Sequence, residues 1–230
     1  MLTNDKDSPA TFPSTRRLLT AGLAVPLVFV GVMLVEGALR PGYEALHRFG
    51  SELALGDRGW VMIANFVLSG LLVLAFAVGL RRVLSGGRCA TAAPVLAALF
   101  GVCLIVSGVF VTDPTPGNPE GMVVPAEPTL HGWIHDANPV PFYLTLVALM
   151  GVMAYRFVAE PGGRPWAWYS VLSAVAVLAT FVAVAASYDM DTGVGSFHGL
   201  WQRVNLAIGL GWIAAVAARY LRNPPRLARA

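Results

Sequence analysis

The 230-residue chain is 56% hydrophobic and only 13% charged, with a mean hydropathy of +0.65 and a net charge of +3. That balance excludes an ordinary water-soluble domain. The two cysteines, Cys89 and Cys103, fall on one predicted helix about 21 Å apart, which excludes a bridge between them.

A helix that crosses a bilayer needs about 20 apolar residues. Residues 1–17, with Asp5, Asp7 and Pro9, read as a polar tail, and the first span follows at 18–39 with Glu36 as its one charge. Arg16 and Arg17 before an apolar run also suit a cleavable signal peptide, but the run is too long and no small-residue cleavage site precedes Arg40 and Pro41. A link over 40–58 leads to a second span at 59–80. A short basic link with Arg81, Arg82 and Arg88 leads to a third at 91–111. Residues 112–138 form a long link with five prolines before the fourth span at 139–157. A glycine- and proline-rich turn with Glu160 and Arg164 precedes the fifth at 166–188. The link 189–199 and the sixth span, 201–221, end in a tail over 222–230 with Pro224 and Pro225. The expected fold is therefore all-α: a six-helix, multi-pass bundle in the cell membrane.

Basic residues are retained on the cytoplasmic side. With both termini inside, that side holds Lys6, Arg16, Arg17, Arg81, Arg82, Arg88, Arg156, Arg164, Arg219, Arg222, Arg226 and Arg229. The outside keeps only Arg40, Arg48, Arg58 and Arg203, so both ends are expected in the cytoplasm. Attraction to anionic lipid headgroups explains the pI near 9.1 without nucleic acid.

The same assignment puts every histidine (His47, His131, His135, His198) and most acids in the outer links, a sorting that the rule for Lys and Arg does not produce. Thr129 to Asp136 reads as a short helix capped by Thr129, with His131 and His135 one turn apart on one face. Joined by His198 and Asp113, they form a candidate zinc site with an activated water. The competing reading is a network of hydrogen bonds that fastens the loops. Asp113, His135, Asp136 and Arg203 are the candidate catalytic groups. Arg203, just inside the last span, should pair with a carboxylate, Asp113 or Asp189, or with an anionic ligand. Asn65, Ser69, Ser107 and Gly108 suit helix-to-helix packing.

The order of Ser51-Glu52-Leu53-Ala54-Leu55-Gly56, Gly59-Trp60, Asn65-Phe66, Ser69-Gly70, Gly79-Leu80-Arg81-Arg82, Gly108-Val109-Phe110 with Asp113, Gly117 with Pro119, Gly132 with His135-Asp136, and Gly199-Leu200 with Gln202-Arg203 resembles the DUF998 family of six-helix bacterial and archaeal membrane proteins. That resemblance implies the six-helix architecture, singles out Asp113, His135 and Arg203 over His47, and leaves the activity open. Two functions are expected to compete. One is an enzyme acting on a lipid or other apolar small molecule, by metal-dependent hydrolysis or acid/base chemistry. The other is an accessory or partner-binding protein whose polar loops form a lid. Membrane lipids are the expected partners in either case.

Overall fold

The computed structural model describes residues 13–84, 86–117, 119, 121–189 and 192–223. The readings of residues 1–12 and 224–230, and of Lys6, Glu120, Asp191, Arg226 and Arg229, lie outside these residues.

Where no water reaches the backbone, its N–H and C=O groups must be satisfied within the segment, and these apolar runs fold accordingly into helices. In chain order they are α1 (Pro13–Leu39), α2 (Gly59–Val83), α3 (Ala92–Val109), α4 (Leu130–Ala137), α5 (Pro139–Ala159), α6 (Arg164–Ala186) and α7 (His198–Arg222). Among the described residues six helices are long and apolar enough to cross a membrane, α4 and α5 counting as one. It is a multi-pass membrane protein. Six spanning helices were expected, and α1 begins at Pro13, within residues read from the sequence as tail, with Thr15 buried in the bundle.

Each spanning helix packs chiefly on two neighbours, in the order α1, α2, α3, α5, α6, α7, and α7 closes the ring against α1. Large side chains fill the interior: Phe29, Phe76, Phe100, Phe157 and Trp212 are all essentially inaccessible. Between α2 and α3 the backbones nearly touch. A Cβ built on Gly70 would lie 2.6 Å from the Gly101 carbonyl oxygen and 2.6 Å from Ile105 Cγ1. Three asparagines join helices through their side-chain amides, as small and polar residues do in membranes. Asn65 donates to Phe29 O on α1 (3.0 Å), Asn138 to Cys103 O on α3 (2.8 Å), and Asn205 to Val177 O on α6 (2.7 Å).

One end of the ring gathers both described chain ends. Arg82 at the end of α2 donates to Ser14 Oγ (3.2 Å), and Arg219 near the end of α7 pairs with Glu160 (2.9 Å). The short links there look like plain turns in sequence, but they hold a buried knot. Arg156 pairs with Glu160 (2.9 Å) and donates to Gly86 O and Arg88 O, while Tyr220 also donates to Glu160 (3.0 Å). The three longer links lie at the opposite end.

Candidate functional site

At that opposite end the links form a lid. The first link is tied down at α1, where Glu36 is buried, pairs with Arg58 through both carboxylate oxygens and has Arg40 3.8 Å away. Arg40 also donates to Leu55 O (2.8 Å) and Leu53 O (3.0 Å). These bonds fix a short 3-10 helix, Gly50–Ala54, whose residues are all buried. Its Glu52 accepts from Phe49 N (3.1 Å) and from Thr115 Oγ1 (3.3 Å), and Arg48 bonds Thr115 Oγ1 (3.0 Å) and Pro116 O (3.0 Å). The first link is thereby fastened to the second.

Arg203 differs from its expected pairing. No carboxylate among the described residues lies within 4.0 Å of its guanidinium. Instead Nη1 donates to Arg48 O (3.0 Å) and Gly199 O (2.9 Å), and Nη2 donates to Tyr43 Oη (2.6 Å), whose ring centre lies 5.7 Å from Cζ. Carbonyl and phenol dipoles, with the ring face, take the place of a counter-ion. Burial pushes the Tyr43 hydroxyl above its ordinary range despite the adjacent guanidinium, so it stays protonated and donates onward to Phe49 O (2.8 Å). Gln202 completes the junction by accepting from Gly50 N (2.7 Å), and Leu200 N donates to Leu46 O (3.0 Å).

The second link closes on itself at its base. Asp113 accepts from Thr129 N (2.8 Å) and Thr129 Oγ1 (2.6 Å), and Thr129 Oγ1 accepts from Gly132 N (3.0 Å). The carboxylate therefore sits at the N-terminus of α4, where the helix dipole favours it. Gly132 leaves room for it, since a Cβ there would lie 2.1 Å from Asp113 Oδ2 and displace the carboxylate. The sequence reading of Thr129 as cap is met, and the fastening reading accounts for Asp113.

His131 and His135 part company on α4. His131 is exposed and rests on Phe110 (ring centres 5.3 Å apart). His135 is buried, and its Nδ1 lies 2.8 Å from Phe110 O. A carbonyl only accepts, so Nδ1 bears a hydrogen toward it, which in the neutral ring leaves the lone pair on Nε2. His198 lies elsewhere, 2% exposed between Phe49 (4.5 Å) and Tyr188 (4.9 Å), and neither of its nitrogens has a hydrogen-bond partner among the described residues. Asp136 is exposed on α4. Among the described residues, no three His, Cys, Asp or Glu side chains are grouped so as to hold a metal ion. The residues proposed for zinc do not fit it: Asp113 is engaged by Thr129, and His198 sits in an aromatic box.

Beneath the lid and inside the ring is a cavity of about 70 Å³. Phe29, Met33, Met62 and Phe66 contribute apolar wall, while Ser51, Ser107, His135, Asn138 and Gln202 bring polar groups to it. Both interhelical bonds of Asn138 use its Nδ2, to Cys103 O and Ser107 Oγ, which leaves Oδ1 as an acceptor. The bond from Gly50 occupies Gln202 Oε1 and leaves that amide's N–H groups as donors. Of the sequence's candidates, only His135 reaches this chamber. Ser51 and Gln202 were missed as site residues, because nothing in the local pattern indicates that distant links converge there.

In comparisons with known proteins, residues 23–219 match the family model described as Protein of unknown function (DUF998). No curated protein and no solved structure matches.

Proposed function

We propose that this chain, which belongs to the DUF998 family, is a protein of the cell membrane that takes the polar end of a small, uncharged, largely apolar molecule into the chamber beneath its lid. The observation that carries this reading is the state of His135. Its Nδ1–H is held by Phe110 O, and Nε2 remains the free nitrogen of a ring that lines the chamber. A neutral imidazole fixed in that tautomer can accept a hydrogen bond from a ligand hydroxyl, or accept its proton as a general base. Gln202 can donate to the same group. Among the described residues no Asp, Glu, Lys or Arg lines the cavity, which favours an uncharged ligand.

A short-chain alcohol carrying a diazirine tests this in reconstituted protein. Photolabelling is expected on Met33 or Met62 and should fall several-fold in His135→Phe. Adducts confined to lipid-facing residues such as Leu144 would remove the binding reading. The accessory reading would then stand, supported by the engagement of Asp113, Thr129 and Arg203 in holding the lid.

The bias of basic residues supports a cytoplasmic location for both chain ends and an outer location for the lid. Reporter fusions after Gly162 are expected to read cytoplasmic and fusions after Thr192 extracytoplasmic. The reverse pattern at both sites would overturn that sidedness.

A further inference from the structure

The lid end carries exposed apolar side chains that the chamber does not explain. Helices α4 and α5 run on through Asn138, whose backbone is itself helical (φ −66°, ψ −27°), as one 30-residue rod from Leu130 to Ala159. That rod is about 45 Å long, roughly 15 Å more than a hydrocarbon core. Trp133, Val140, Leu144, Tyr155 and Val158 are all exposed and fall on one face at helical spacing. Trp133 and Tyr155 stand about 33 Å apart along the axis, close to the separation of the two bilayer interfaces where such rings settle. Trp60, at the start of α2, is another exposed ring at the end where Trp133 lies.

With Trp133 at one interface, Thr129 and the base of the second link lie one turn beyond it, at headgroup depth. From that base the link presents Met122, Val123 and Val124, with Val123 86% exposed. No charge falls between Gly121 and Pro125. Leu130, 69% exposed, extends the lipid-facing stripe of the rod to the end of the link. Five residues, Pro125 to Thr129, join the Met122–Val124 segment to that lipid-facing surface.

We infer that the Met122–Val124 segment is a membrane-surface element that rests its apolar side chains in the interfacial layer of the bilayer. Removing apolar side chains from water is favourable, so three partly immersed residues hold the lid against the bilayer. The mouth of the lid then lies at the depth where an amphiphile's polar group resides.

Nitroxide labels at Val123→Cys and, separately, Met122→Cys test the inference. Cys89→Ser removes the more accessible native thiol, and Cys103 is buried. In vesicles of phosphatidylcholine and phosphatidylglycerol, collisions with oxygen are expected to exceed those with a water-soluble nickel chelate several-fold at both positions. Dominance of the nickel chelate would show a water-facing loop and overturn the inference. Exclusion of both reagents would overturn it in favour of contact with protein, such as a second copy of the chain.

Discussion

Arg203→Ala is expected to destabilise the protein by about 3 kcal/mol or more, since hydrogen bonds from a charged donor are each worth about 1.5–3 kcal/mol. The guanidinium holds three things together: the first link through Arg48 O, the start of α7 through Gly199 O, and Tyr43 through its hydroxyl. Losing it leaves Arg48 O without its guanidinium donor in the lid and an 8% exposed side chain's space unfilled. Arg203→Lys keeps the charge but presents one compact head in place of a planar fork, and should recover less than half of the loss. Thermal unfolding in a mild detergent, with proteolysis of the 40–58 link as a local readout, checks both. A cost below about 0.5 kcal/mol, the level of an ordinary surface substitution, would show that Arg203 does not hold the lid.

Gly70→Leu is expected to lower stability by about 3 kcal/mol, at or above the usual range for an overfilled core. Even its Cβ would fall 2.6 Å from the Gly101 carbonyl oxygen, a backbone atom that no side-chain rotation can move aside. The whole α2–α3 crossing must widen, and with it the wall that carries Ser107 and Phe66 into the chamber. A melting temperature unchanged from the parent would contradict the tight crossing. Gly151, which has nothing within 4 Å of a built Cβ, serves as the tolerant control.

Much of this fold is legible in sequence because hydropathy reports directly on the solvent: uninterrupted apolar runs of about 20 residues leave few alternatives to spanning helices. Thr129 as a helix cap was equally legible, since capping is a local property of three or four residues. Arg203 was legible as a buried cation but not in its partnership. A set of carbonyls from residues 155 and 4 positions away, with a tyrosine from the first link, leaves no charge signature. His131 and His135 share a helical turn, yet one is exposed and one buried, because spacing fixes the angle between side chains and not what stands opposite each. The chamber was the least legible feature. Ser51, Ser107, His135 and Gln202 meet only after the ring closes, and no segment of the chain contains that information by itself.

The most direct measurement is an experimental density map of the protein in lipid nanodiscs at a resolution that separates waters. The expected result is elongated density, too large for a pair of waters, with its polar end against His135 Nε2 and the Gln202 amide. A chamber that holds only separate water peaks, with Nε2 bonded to one of them, would contradict a ligand site and leave His135 as one more fastening of the lid.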